Sequence, residues 1–198
     1  MRQLVFGGSF NPIHHGHLLC SRSAAEQLGY ERIILIPSAN PPHKPVSATM
    51  AASADRLAMT RIAVAGDPFF QVDGLELERA GPSYTLDTAR HLTARGDGPV
   101  HWLIGADMLL YLPKWHRPAD LLREVNFVVI ARPGWSLDWE TLPIEYRHLK
   151  ANVVEVPLIS LSSTEIRHRA AAGRSIRYLT PDAVCAYIQE RGLYRGEH

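Results

Sequence analysis

The chain has 198 residues, 46% of them hydrophobic and 21% charged, with a formal net charge of +1. That size suits one α/β domain, and the composition excludes a disordered or fibrous chain. Basic and acidic residues balance at 21 against 20, which argues against a protein that tracks along nucleic acid.

In chain order, Leu4–Phe6 is a short apolar run ending at Gly7-Gly8, as a buried parallel strand would. It is too short for a signal peptide, and no apolar stretch reaches membrane-spanning length. A cytoplasmic protein with no membrane partner is therefore expected. From His17 to Leu28, Leu18, Leu19, Ala24, Ala25 and Leu28 recur at helical spacing until Gly29 stops the run. Arg32–Pro37 reads as a second buried strand. A Pro-rich loop, NPPHKPVS, covers Asn40 to Ser47; a helix then spans Met50 to Ala65, and Phe69–Val72 follows as a third strand. Tyr84–Arg95 reads as a helix, Val100–Ile104 as a strand ending in Gly105, and Phe127–Ala131 as a strand ending before Pro133. Trp135 to Lys150 is irregular and polar, as surface chain is, and two short helices close the sequence.

This β–loop–α order predicts a Rossmann-like parallel sheet with helices on both faces. Residues 1–198 then form a single domain whose C-terminal helical part begins near residue 160. Ligands in such sheets sit outside the carboxyl ends of the strands. The loops after Phe6, Pro37, Ile104 and Val156 are thus expected to border one site. Cys20 and Cys185, the only cysteines, lack metal or disulfide spacing and read as free, buried thiols.

The first of these loops, FGGSFNPIHHGHL from Phe6 to Leu18, has unusual chemistry. His14 and His17 are three apart and share one helical face, while His15 points elsewhere. Gly16 keeps that face clear of a side chain, and Gly7 and Gly8 let the preceding turn approach closely. Pro12 suits a helix start. A helix N-terminus adds N–H donors and a partial positive charge, so the whole describes an anion cradle with two further cationic or donor groups. The same face carries Cys20, which leaves a metal site on His14, His17 and Cys20 as an alternative, although no carboxylate or further cysteine completes it nearby.

Other segments add candidates. In SSTEIR, Ser162 and Glu165 have capping-box spacing, and Ser163, Thr164 and Arg167 offer donors beside a helix start. His43 and Lys44 lie in a loop stiffened by Pro41, Pro42 and Pro45. Ser83 precedes a helix whose first turn should hold Tyr84 and Thr85. Gly105 and Asp107 follow a buried strand; Asp107 suits either the two hydroxyls of a ribose or a cap on the next helix. Trp115 sits in the LPKWHRP segment, a loop by its prolines, whereas Trp102 reads as core. Thr180, Pro181 and Gly192 read as the cap, first position and terminator of a last, structural helix. Arg167, Arg169, Arg174 and Arg177 form a modest basic cluster, mostly a solvated face.

In combination GGSFNPIHHGH resembles the GxFxPxHxGH signature of the nucleotidyltransferase superfamily, with the glycines, Phe10, Pro12, His14, Gly16 and His17 in register. Within it, the chain is similar to bacterial nicotinate mononucleotide adenylyltransferases through PPHK, PSYT, GAD, Trp115, SSTEIR and YLTPDAVCAYIQERGLY. Ser9 and Asn11 depart from it, standing where Thr and Asp are frequent. The resemblance implies transfer of an adenylyl group from ATP, carried with Mg2+, to nicotinate mononucleotide, yielding nicotinate adenine dinucleotide and pyrophosphate. It implies that His14, His17 and Arg167 are catalytic. Gly8, Ser9, Phe10, Gly16, Gly105, Asp107, Ser162, Ser163 and Thr164 would join them in holding ATP. His43, Lys44, Ser83, Tyr84, Thr85 and Trp115 would hold the mononucleotide. No protein metal ligands are implied, and a homo-oligomer is compatible with the sequence. A pantetheine-phosphate adenylyltransferase or a cytidylyltransferase shares the first loop, and a non-catalytic nucleotide- or metal-binding protein is the rival from another class.

Overall fold

Alternation along the strands decides the architecture. In β1 (Gln3–Gly8), Leu4 and Val5 enter opposite cores. In β2 (Arg32–Pro37), Ile33 and Leu35 face one core while Ile34 and Ile36 face the other. The pattern repeats with Trp102, Leu103 and Ile104 in β4 (Val100–Gly105) and with Phe127, Val128 and Val129 in β5 (Val125–Ala131). A strand apolar on both faces must be covered on both, the situation of parallel strands joined by crossover helices. With β3 (Phe70–Val72) and β6 (Val153–Glu155) these strands form a six-stranded parallel sheet in the order β3-β2-β1-β4-β5-β6. The computed structural model describes residues 1–42 and 49–195.

The helices divide between the faces as the pattern requires. On one face α1 (His15–Gln27), α2 (Ser53–Ala63) and α6 (Asp182–Glu190) bury Ala24, Ala25, Met59, Val184 and Ile188. On the other, α3 (Thr85–Ala94) and α4 (Pro118–Glu124) bury Leu86, Ala89, Leu92 and Leu121. Trp102 is core, as expected; a Cβ on Gly7 would stand 2.4 Å from its ring, so the indole occupies the space that glycine leaves. The chain crosses from one half of the sheet to the other between β1 and β4, where a crevice opens at the carboxyl ends of the strands. The helix α5 (Ser163–Ala171) stands at that end and anchors itself through fully buried Ile166.

Several expectations are corrected. Residues 135–150 are mostly exposed, as expected, but not wholly irregular: 3-10 segments form at Trp139–Thr141 and Ile144–Asn152, and Leu142, Tyr146 and Leu149 are buried in the core. Pro12 does stand near a helix start, two residues before His14, the N-cap of α1. Thr180 does not cap α6; its buried hydroxyl donates to the Ile13 carbonyl at 2.7 Å, and Pro181 takes the N-cap place. The last helix therefore does more than close the fold, since its entry is tied to the chain just ahead of α1. Helix α2 starts at Ser53, because Ala51 is held outside it by Asn11 and Arg56. Both cysteines are half-buried. Among the described residues no helix is long and apolar enough to cross a membrane.

Candidate active site

A cavity of about 740 Å³ opens at the carboxyl ends of β1, β4, β5 and β6. Gly8, Ser9, Phe10, His14, Gly16, His17, Gly105, Asp107, Ser162, Ser163, Thr164 and Arg167 all line it. The ATP-side residues singled out in the sequence are thus brought together from three separate segments, those after β1, β4 and β6.

His14 and His17 cap the same helix reciprocally. The His17 N–H donates to His14 Nδ1 at 3.3 Å, and the His14 N–H donates to His17 Nδ1 at 3.2 Å. The rings stack with centroids 3.6 Å apart. With each Nδ1 accepting, each ring keeps its proton on Nε2 and presents a donor there. Burial, followed by the neighbouring His15, lowers the His14 pKa to about 4, so His14 is neutral at pH 7. In that state the ring is a hydrogen-bond donor rather than a cation. The ring of Phe10, 2% exposed and held in a left-handed turn at φ 42°, meets His17 edge-on with centroids 5.2 Å apart. The Phe10 side chain thus packs against one of the two rings. Gly16 lines the cavity, in keeping with an open face, and a Cβ there would also crowd His14 Nδ1 at 3.0 Å. At Gly8 a Cβ would crowd the Phe10 ring at 3.1 Å.

Opposite the histidines stands the start of α5. Ser162 caps it by accepting from the Glu165 N–H at 3.2 Å, which is only half of a capping box; Glu165 faces Arg169 at 3.9 Å. Ser163 turns its hydroxyl to the Pro12 carbonyl at 2.8 Å, so that proton is committed to holding the loop. Arg167 donates through Nη1 to the Asn11 carbonyl at 2.9 Å and through Nη2 to Thr164 Oγ1 at 3.3 Å. Its Nε is buried with no partner among the described residues. A buried donor without an acceptor costs about 1–3 kcal/mol.

Asp107 does not cap the 3-10 turn Ala106–Met108. Its carboxylate is 78% exposed at the cavity edge, 3.7 Å from Arg132. Arg132 and Trp135 line the cavity and escaped the sequence reading. The signal was present: they follow a strand that had been recognised, and the loop after it belongs with the others.

Of the residues assigned to the second nucleotide, the described ones, Ser83, Tyr84, Thr85 and Trp115, do not line this cavity. Ser83 Oγ accepts from the Ala39 and Asn40 N–H groups at 3.0 and 3.2 Å, so it ties the loop after β2 to the start of α3. Tyr84 is the N-cap of α3 rather than part of its first turn, and its ring stacks on His116 with centroids 4.0 Å apart. Thr85 is the first helical residue. Trp115 packs edge-on against Phe127 at 6.3 Å and joins the core on that face. His43 and Lys44 lie outside the described residues.

Asn11, also missed, joins these parts. Its Oδ1 accepts from the Ala51 N–H at 3.0 Å and the Tyr194 hydroxyl at 2.8 Å, and its Nδ2 donates to the Thr49 carbonyl at 3.2 Å. Among the described residues no group of three His, Cys, Asp or Glu side chains could hold a metal ion.

The Cytidylyltransferase-like family model matches residues 5–169. A protein of Geobacillus thermodenitrificans named "Probable nicotinate-nucleotide adenylyltransferase" is 45% identical over 191 residues, spanning 96% of this chain and 84% of that one. One of Enterococcus faecalis with the same name is 43% identical over 194 residues, spanning 98% and 84%. The chain belongs to the nicotinate-nucleotide adenylyltransferase family. Its fold matches that of the Plasmodium falciparum nicotinic acid mononucleotide adenylyltransferase complexed with NaAD, with a TM-score of 0.76 at 18% identity over 98% of each chain. The same enzyme complexed with APC gives a TM-score of 0.74 at 17% identity, over 98% of this chain and 96% of that one. In this member of the family, the two histidines, the α5 start and the exposed Asp107 all face one cavity.

Proposed function

We propose that the protein transfers the adenylyl group of MgATP to nicotinate mononucleotide, forming nicotinate adenine dinucleotide and releasing pyrophosphate in the biosynthesis of NAD. The observation that carries this reading is the pair of Nε2 donors of His14 and His17, set beside the N-terminus of α1 in the cavity that Arg167 also lines.

The acceptor's phosphate is anionic at neutral pH and needs no base to activate it. One of its oxygens attacks the α-phosphorus of ATP, the bond to the β-phosphate oxygen breaks, and both electrons leave with pyrophosphate. What remains for the protein is alignment and relief of charge on groups that repel each other. The histidines hydrogen-bond the α- and β-phosphates, and the start of α5 with Arg167 and Thr164 receives the departing pyrophosphate. Asp107 accepts from the ribose hydroxyls at the cavity rim. Gly8, Ser9, Phe10, Gly16 and Gly105 form the wall against which the nucleotide lies. The mononucleotide enters from the α3 side, where Ser83, Tyr84 and Thr85 stand with Trp115, and His43 and Lys44 are assigned to its phosphate by the family resemblance alone.

Among the described residues Asp107 is the one carboxylate lining the cavity. That donor set suits a metal ion delivered by the triphosphate, so Mg2+ belongs to the substrate and neutralises its phosphate charge. A biosynthetic role that draws on ATP supports a cytoplasmic location.

Incubation with MgATP and nicotinate mononucleotide tests the reading. Dinucleotide and pyrophosphate should appear in equal amounts; turnover only with a different phosphate acceptor would replace the substrate, and none with any acceptor would refute the activity.

A further inference from the structure

β1 and β2 pair in parallel as far as Gly8 and Pro37, and a final rung runs from the Ser38 N–H to the Gly8 carbonyl at 2.9 Å. One residue later the strands part. Ser9 enters the cavity wall, while Ser38–Asn40 runs toward the start of α3. The side chain at this fork is Arg56 of α2, which is 1% exposed.

Its guanidinium spans the gap. Nη1 donates to both the Ser9 carbonyl at 2.8 Å and the Ser38 carbonyl at 2.6 Å. Nη2 donates to the Ala39 carbonyl at 3.1 Å and Ser53 Oγ at 3.0 Å, and Nε donates to the Ala51 carbonyl at 3.1 Å. All five N–H donors of the side chain are therefore used, and every acceptor is a neutral oxygen. Nη1 acts as one more rung after the ladder has ended. From the other side Ser83 holds the same segment: its hydroxyl oxygen accepts the Ala39 and Asn40 N–H groups, and its N–H donates to the Asn40 carbonyl at 2.9 Å.

We propose that Arg56 is a positioning residue that sets the separation between the ATP half of the site, reached through Ser9, and the acceptor half, reached through Ser38–Asn40 and Ser83. This rests on the proposed function. Stability alone is a poor reason for such an arrangement, because removing a cation from water is costly and an apolar side chain of similar volume often stabilises a core as well or better. Geometry is a sufficient reason. Transfer between two bound nucleotides needs the reacting atoms about 3–3.5 Å apart and aligned, and a misplacement of about 1 Å can cost about a hundredfold in rate. Lysine keeps the charge, but it has three donors on a single nitrogen and cannot reach all the loops that the fork ties together.

Arg56→Lys in the full chain tests this, with wild type run alongside. Calorimetry gives the Kd and stoichiometry for MgATP alone, nicotinate mononucleotide alone and the product dinucleotide, and rapid quench gives the single-turnover rate. Each mononucleotide should bind the variant within about threefold of wild type at unchanged stoichiometry. The single-turnover rate should fall about a hundredfold, and the dinucleotide, which spans both halves, should bind at least about tenfold more weakly. A merely structural arginine would instead lower binding stoichiometry for every ligand in step with the rate, and that result overturns the proposal. So does a variant whose rate and dinucleotide affinity match wild type. Wild type that joins no dinucleotide overturns the proposed function and this inference together; wild type that does, with a matching variant, overturns this inference alone.

Discussion

His14 and His17 each place an Nδ1 on the other's backbone N–H, so the helix cap and the proposed phosphate donors are the same two rings. Neither can be removed without touching both functions. His17→Ala should lower kcat by roughly two to four powers of ten, the scale of one lost transition-state donor. It should also cost about 1 kcal/mol of stability for the lost cap. His14→Asn separates the effects: asparagine caps well, so Tm should hold while turnover falls. His15→Ala, outside the pair, should be far milder. Steady-state kinetics and thermal melts of the three variants check this, and full activity in folded His17→Ala would remove the histidines from the chemistry.

The same burial predicts a pH dependence. In the folded, ligand-free protein His14 takes up its proton only near pH 4, against 6.5 in the unfolded chain. Between those values the unfolded state binds more protons, so acid favours unfolding. The contribution is intact above about pH 6.5 and is lost progressively as pH falls toward 4. Urea unfolding at pH 7 and pH 4.5 should show wild type losing roughly 2–3 kcal/mol more than His14→Asn over that interval. Equal losses would mean that His14 is not held neutral.

Asn11 predicts a destabilising substitution by a residue of the same shape. Asn11→Asp replaces the Nδ2 donor facing the Thr49 carbonyl with an oxygen, at a position 5% exposed. The repulsion and lost bond should cost about 1–3 kcal/mol. A melt with unchanged Tm would show that Thr49 does not select the amide.

Arg167→Lys should weaken ATP binding, because lysine keeps the charge but not the fork that reaches Asn11 and Thr164. The KM for ATP should rise; an unchanged KM in Arg167→Ala would return the α5 start to a purely structural role.

The parallel sheet was legible because Leu4/Val5, Ile33–Ile36 and Trp102–Ile104 are apolar on both faces, a pattern that only a doubly covered sheet satisfies. The ATP-side residues were legible because local motifs carry them. Leu142, Tyr146 and Leu149 do recur at helical spacing, but Pro143 and the surrounding charges masked them. Ser83 announced a helix start correctly, yet its hydroxyl went to Ala39 and Asn40, far away in sequence. Arg56 left no trace at all. Its partners are backbone carbonyls, which look alike in every sequence, so only the assembled fork reveals it.

The most direct test of the central claim is the ratio of kcat/KM for nicotinate mononucleotide to that for its amide counterpart at saturating MgATP. Tyr84 caps α3 and Thr85 is its first residue, so the leading N–H groups of that helix have no partner inside it, and they lie at the positive pole of its dipole. A carboxylate accepts from such donors on both oxygens, whereas an amide turns an NH2 toward them. Sites built around one partner discriminate by about four to five powers of ten. The rotatable hydroxyl of Thr85 and the nearby carboxylate of Asp87 reduce that here. The acid should be preferred by at least about a hundredfold. Equal values, or a preference for the amide, would contradict the nicotinate assignment.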